Sequence, residues 1–287
     1  MNKASLFGGS GFIGNWYMDL FSNETVVEPK SMVESTHPDI LYMISTVHNY
    51  HPKDGNPYID IDTNLVLFMD VLSRSVEKWG ENTVFNLVST WFVYGNTDLP
   101  AKETSHCNPT GFYSITARAR EQLLISYAEL KGFKYRILRL GNVLGAGDKK
   151  ISRKKNALQY IVSEVAKGRD VDYLYKDGAI RDFIDVRDCV RAIHLVLEKG
   201  ELNQIYNIAN GKGLNVNDLV YTAWQESGYM SKITEIPVPE FHRQVQTSKM
   251  YMDTKKLKAL GYVQQHDIAQ TVRELVHHYQ HEKEQDS

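Results

Sequence analysis

A strand that runs straight into a glycine turn and out into a helix does most to limit what this chain can fold into. Residues 3–7, KASLF, have the apolar character of a short strand, GGSGFIG follows, and NWYMDLF reads as helix. Gly8, Gly11 and Gly14 are spaced for three separate tasks. Gly8 permits the tight turn, Gly11 lets a diphosphate approach the backbone, and Gly14 lets the helix lie close against its strand. The first N–H groups of that helix, those of Phe12 and Ile13 among them, have no partners within it and carry its partial positive charge. A turn of this kind at a strand–helix junction predicts a dinucleotide site.

Further apolar strands are predicted at TVVE (25–28), DILYMIS (39–45), TVFNLVS (83–89) and YRILRL (135–140), with helical patterns between several of them. The alternation argues for an α/β fold, a doubly wound, Rossmann-like parallel sheet covered by helices on both faces. Two helices stand out by length. In 58–79, Leu65, Phe68, Met69, Leu72, Val76 and Trp79 recur at intervals of three and four; in 113–131, Ile115, Ala119, Leu123, Tyr127 and Leu130 do the same. Each stripe is expected to pack on the sheet. After residue 141 the pattern becomes irregular, with short strands at 171–175 and 204–209 and helices near 157–167, 186–198 and 216–227. We therefore expect a dinucleotide-binding domain over 1–140, taking in about 183–209, and a smaller C-terminal α/β lobe over 141–287 mainly for substrate. The ending HHYQHEKEQDS reads as a polar, fraying tail. His277 and His281 share a helix face there, but no third ligand is in view and no metal is expected.

The 33 basic and 35 acidic side chains nearly cancel, to a formal net charge of −2, which argues against nucleic acid or an acidic membrane as partner. Any anion must be bound locally. Two cysteines, Cys107 and Cys189, are too few for a disulfide framework or a thiolate metal site and read as free thiols. No apolar run reaches 18 residues, and the chain enters a strand directly rather than through a signal-like leader, so a soluble, cytoplasmic protein is expected.

The end of the second strand, VVEPKS, should choose between NAD and NADP. The carboxylate of Glu28 can accept hydrogen bonds from the adenosine ribose and repels a 2′-phosphate, which favours NAD. Lys30, two residues on, is placed to meet a 2′-phosphate instead.

The glycine turn, VSTWFVYG (88–95), Tyr113, RLGNVLG (139–145), IRDFIDVRD (180–188) and KLKALGY (256–262) occur in that order. With them the chain resembles the extended short-chain dehydrogenase/reductase family over nearly its whole length, and within it the nucleotide-sugar epimerases, dehydratases and ketoreductases. The resemblance implies Tyr113 as the catalytic tyrosine and also a cofactor contact, Thr90 as the partner hydroxyl and also a substrate contact, and Thr46 among the cofactor contacts. It also implies a nucleoside-diphosphate sugar as substrate. Asn142 and Asn156 match positions that hydrogen-bond the sugar or its diphosphate, Tyr175 matches a side chain beside the base, and Arg181 and Arg243 match diphosphate-binding arginines. Arginine suits that task because its planar fork gives parallel charge-assisted bonds to phosphate. The basic run Lys149, Lys150, Arg153, Lys154 and Lys155 reads mostly as a solvated loop. Dimers of the family use two helices per subunit, which implies a homodimer through 58–79 and 113–131.

The sequence departs from the family in three places. Only ten residues separate Glu28 from Asp39, where the family has a further strand and helix, so a trimmed sheet is expected. The residues after Thr90 are Trp91 and Phe92, where the family's 4,6-dehydratases carry an aspartate and a glutamate; neither ring can serve as acid or base. They are read as packing either against the sugar or into the core. Ala117 stands one turn after Tyr113, where the family has a lysine that bonds the nicotinamide ribose and acidifies the phenol. An unassisted tyrosine titrates at ~10, and bringing it to about 7 corresponds to roughly 4 kcal/mol. Arg118 and Arg120 are read as projecting from other sides of the helix. Ala117 is accordingly read as an inactivating replacement in a parent YSITK. The expected function is NAD(P)-dependent oxidoreduction or epimerisation at carbon 4 of a nucleoside-diphosphate sugar. A 4,6-dehydratase and a non-catalytic NAD or sugar-nucleotide binding protein are the alternatives.

Overall fold

The computed structural model describes residues 3–29, 31–46, 56, 58–149, 151–152, 155–173, 179–237 and 247–285. Its centre is a six-stranded parallel sheet. In chain order its strands are β1 (Ala4–Phe7), β2 (Thr25–Val27), β3 (Asp39–Tyr42), β4 (Val84–Thr90) and β5 (Lys134–Leu140), with Gln204–Ile208 as the last. Their spatial order is Gln204–Ile208, β5, β4, β3, β1, β2. The chain therefore winds outward one way from β1 to β2 and then returns past β1 to β3. That reversal leaves a crevice at the carboxyl ends of β1 and β3, the usual ligand position in such sheets. The three-residue β2 forms the edge, and among the described residues no strand or helix intervenes between it and β3. The trimmed sheet follows from the ten-residue link.

Alternate strand residues feed opposite faces, as the two-residue period of a strand requires. Leu6, Leu41, Val88 and Leu138 point to the side covered by α1 (Phe12–Phe21) and the helix Val186–Lys199, where Tyr17, Val190 and Ile193 are buried. Phe7, Ile40, Leu87 and Ile137 point to the other side, covered by α3 (Leu67–Trp79), which follows the short α2 (Tyr58–Ile61), and by α4 (Phe112–Lys131), where Phe68, Leu72 and Leu124 are buried. A third core, made by the helices Ala157–Ala166, Val216–Glu226 and Ile268–Gln285, occupies the C-terminal part of the chain.

Two expectations are corrected. The stripe Ile115–Leu123–Leu130 on α4 does not pack on the sheet: these side chains are 50%, 40% and 76% exposed. The buried face carries Thr116, Ala117, Arg120, Glu121, Leu124 and Ala128 instead. Two stripes compete on this helix, and the buried one includes charged residues whose partners lie far off in sequence. The carboxyl-terminal segment, read as a fraying tail, forms the helix Ile268–Gln285, because Val272, Leu275, Val276 and Tyr279 supply a buried face at helical spacing. His277 on it pairs with Glu226 at 2.8 Å.

Both cysteines are free, with Cys189 buried. Among the described residues, no helix is long and apolar enough to cross a membrane.

Candidate active site

The glycine turn has the shape its spacing predicts. Gly8 adopts φ +99°, a backbone conformation that side chains resist. A Cβ on Gly14 would lie 2.3 Å from the Gly8 carbonyl oxygen and 2.8 Å from the Gly9 Cα, so the helix approaches the turn as closely as backbone allows. The Gly11 amide closes the turn onto Gly8 O at 3.0 Å. Gly11 is also the N-cap of α1, and no side chain caps the helix, so the amides of its first turn face the crevice without a protein acceptor from the cap. Uncapped amides at a helix N-terminus suit a diphosphate electrostatically.

Glu28 follows β2 and is only 4% exposed. Its Oε1 accepts from the Thr36 amide and the Thr36 hydroxyl, both at 2.7 Å. These bonds fix the carboxylate at the edge of the crevice. Thr46, beyond β3, is held by Asn64: the Thr46 amide donates to Asn64 Oδ1 at 3.2 Å, and Asn64 Nδ2 donates to Thr46 O and to Thr116 Oγ1 on α4. Asn64 is fully buried in a π turn, Asp62–Val66, between the helix Tyr58–Ile61 and α3. Sequence reasoning passed over this residue. The signal was a lone amide four residues before Phe68 on the buried side of an apolar helix, and π turns concentrate at functional sites.

At the carboxyl end of β4, Thr90 is 7% exposed and its Oγ1 accepts from the Phe92 amide at 3.3 Å. The single turn Trp91–Tyr94 then places the Phe92 ring edge-on against Tyr113, with centroids 5.8 Å apart. Tyr113 sits in the first turn of α4 and is partly exposed. Trp91 stacks on Phe92 at 3.9 Å, has Arg181 over its ring at 5.5 Å, and donates its Nε1–H to Asn142 Oδ1. Trp91 is therefore sandwiched and 4% exposed, which leaves Phe92 as the ring that faces the site. Ala117 is fully buried in the apolar cluster of Trp91, Val93, Tyr94 and Met250.

Three of the remaining expected site residues, Asn142, Asn156 and Arg181, lie among the described residues. Asn142 Nδ2 donates to Asp182 O at 2.9 Å. Asn156 caps the helix Ala157–Ala166 through Oδ1 and donates from Nδ2 to Val143 O, so its amide is committed to the fold on both ends. The Arg181 guanidinium donates to Thr247 O, Ser248 O and Ile180 O. Beside it, the buried Asp182 carboxylate gathers the amides of Asn210, Gly211 and Met252. Burial pushes this carboxyl up to about 7, against those hydrogen bonds. Lys155 pairs with Asp148 at 2.9 Å. Tyr175, Arg243, Lys30, Lys150, Arg153 and Lys154 lie outside the described residues. Away from the crevice, Glu24, His194 and Glu198 bring ligand atoms within 4.8 Å of one another.

Arg120 corrects the sequence reading. It does not project away from Tyr113: it is 1% exposed, and its Nη1 and Nη2 donate to Ile44 O at 2.8 Å and Val88 O at 3.1 Å. Ile44 is also the residue whose amide lies 3.2 Å from where a Gly8 Cβ would be. The glycine turn, the end of β3, Arg120 and the end of β4 are thus contiguous.

The sequence profile of the NAD dependent epimerase/dehydratase family matches residues 27–209. The chain is 26% identical over 223 residues to a putative UDP-glucose 4-epimerase of Methanocaldococcus jannaschii, covering 77% of this chain and 70% of that one. It is 26% identical over 230 residues to a trifunctional UDP-glucose 4,6-dehydratase, 3,5-epimerase and reductase of Arabidopsis thaliana, covering 78% of this chain but only 33% of that enzyme. In fold it is similar to the crystal structure of a UDP-glucose 4-epimerase with UDP-glucose from Thermotoga maritima. The TM-score is 0.85 at 21% identity, with 99% of this chain and 100% of that one covered.

Proposed function

Because the chain belongs to the NAD dependent epimerase/dehydratase family, we propose that it is an NAD-dependent oxidoreductase or epimerase acting at carbon 4 of a nucleoside-diphosphate sugar. The observation that carries this reading is the contact of Phe92 with Tyr113, which brings the segment after Thr90 against the first turn of α4 beside the crevice of the glycine turn. A bound nicotinamide supplies a carbon that takes or returns the hydrogen of a sugar carbinol. The Tyr113 phenol exchanges the proton of that carbinol's hydroxyl, and the Thr90 hydroxyl holds the same oxygen. Gly8, Gly11, Gly14 and the amides of Phe12 and Ile13 receive the dinucleotide diphosphate. Glu28, steadied by Thr36, would accept from the adenosine ribose, which favours NAD over NADP. Asn142 and Arg181, which adjoin Trp91, are the substrate-side residues, Asn156 acts through the helix it caps, and Tyr175 and Arg243 are assigned to substrate on the family resemblance alone.

Trp91 and Phe92 weigh against the dehydratase alternative, since no acid–base pair follows Thr90. A second reading, that of a non-catalytic NAD or sugar-nucleotide binding protein, is favoured by Ala117, whose methyl provides neither charge nor hydrogen bond. One experiment decides between these readings. The chain and its Ala117→Lys variant are incubated with NAD and a panel of UDP, GDP, ADP and dTDP sugars, and products are identified by NMR. Turnover with retained NAD is expected for an epimerase and stoichiometric cofactor use for a dehydrogenase or reductase. Binding with no turnover by either chain contradicts the enzymatic reading. Turnover only by the lysine variant identifies Ala117 as the inactivating change.

We also propose a homodimer. The exposed stripe of Phe112, Ile115, Leu123 and Leu130 on α4, with Val66 beside α3, is the surface a second copy would cover. Light scattering is expected to give twice the 32.9 kDa chain mass; a particle of single-chain mass contradicts the dimer.

A further inference from the structure

Arg120 is taken almost wholly out of water, yet among the described residues its hydrogen bonds go to backbone carbonyls and not to a carboxylate. Its neighbour Glu121 gives its oxygens to Ser89, Arg139 and Arg118 instead. The guanidinium meets two backbone carbonyls and the rings of Tyr42 and Phe68, at 6.0 and 5.9 Å, and its Nε has no partner. Two carbonyls require donors; they do not require a charge. A buried cation held this way is an expensive means of joining two strand ends.

Its place on α4 suggests what the charge serves. Residues 113 and 120 are seven apart, which at about 100° per residue falls some 20° short of two full turns, so they share a face. Long side chains on a helix lean toward its N-terminus and cover the turn before their own Cα. For Arg120 that is the turn of Thr116 and Ala117. We propose that Arg120 is a positioning residue that supplies, from two turns along α4, the buried positive charge a lysine at 117 would supply from one, and so favours the ionised form of the Tyr113 phenol. This rests on the reading of Tyr113 as the proton-exchanging group. Burial weakens Arg120's hold on its proton, and the Tyr42, Tyr113 and Glu121 charges work in the opposite sense.

The test uses the full chain with ring-labelled [13Cζ]tyrosine, the Tyr113 signal being assigned by its loss in Tyr113→Phe. Arg120→Lys keeps the charge; Arg120→Gln keeps amide donors for Ile44 O and Val88 O without it. At a given alkaline pH the Gln variant is expected to show at least about tenfold less Tyr113 phenolate than the parent, and the Lys variant to remain near the parent. The same Tyr113 titration in parent and Gln variant overturns the proposal. So does an equal loss of phenolate in both variants, or loss of the folded state by circular dichroism in the Gln variant, since Arg120 would then be a clamp. No substrate enters this measurement, so its failure is distinct from a failure to turn over any sugar nucleotide.

Discussion

In whichever of the parent chain and its Ala117→Lys variant turns over, replacing Tyr113 by phenylalanine is expected to lower turnover by about 10²- to 10⁴-fold, the usual contribution of a placed proton-transfer group. Affinity for NAD should change by less than about threefold, since the diphosphate cradle lies on the glycine turn and not on α4. The structural cost should also be small, because Tyr113 is partly exposed and its ring meets Phe92 edge-on, a contact phenylalanine retains. Steady-state kinetics on whichever sugar nucleotide the panel identifies, with NAD binding followed by calorimetry, check both halves. A Tyr113→Phe variant with unchanged turnover removes the phenol from the reaction.

The second large effect concerns stability. Glu121 is fully buried, and its carboxylate accepts from Ser89 Oγ at 2.6 Å, Arg139 Nη2 at 2.7 Å, Arg118 Nη1 at 2.8 Å and Arg139 Nε at 3.0 Å. Arg139 is 1% exposed and stacks over Tyr94 at 4.6 Å. Burial works against the Arg139 charge, and its bonds to Glu121 more than restore it. Glu121→Ala strands this cation in the core, and chemical denaturation should report a loss of about 3–5 kcal/mol. Glu34→Ala breaks a half-exposed pair with Arg74 at 3.7 Å and should cost less than about 1 kcal/mol. Equal losses in the two variants would contradict a buried ionic network beneath β4.

Much of this architecture was legible because strands and helices sort residues by period. TVFNLVS and YRILRL become central strands whose alternate side chains fill the two cores, and Gly8, Gly11 and Gly14 meet the steric demands their spacing announces. The ten-residue link from Glu28 to Asp39 forecast a trimmed sheet, and β2 is its edge. Legibility failed where long-range partners override local pattern. On α4 the apolar residues Ile115, Leu123 and Leu130 suggest the core, and Arg120 reads as projecting from another side than Tyr113, with no role given to Glu121 beside it. The reverse holds, because Arg139, Ser89, Ile44 and Val88 are brought to the charged pair by strands remote in sequence. Asn64 was hidden for the same reason: its partners, Thr46 and Thr116, come from two other elements. The helix ending at Gln285 was obscured by its polar outer side, although Val272, Val276 and Tyr279 carry the period. Among the expected site residues, Thr90 ends a strand and Gly8, Gly11 and Gly14 form the turn, as their spacing suggested; Asn156 is engaged in capping a helix.

The central claim is that the Tyr113 phenol meets a sugar alcohol at the reactive end of a nicotinamide, and a structure of the chain with NAD and a bound sugar nucleotide tests it most directly. The account predicts Tyr113 Oη and Thr90 Oγ1 both within about 3.2 Å of one sugar hydroxyl oxygen, with the diphosphate of NAD on the amides after Gly11. A complex in which the phenol lies beyond hydrogen-bond reach of the sugar, or in which NAD does not occupy the glycine turn, would contradict it.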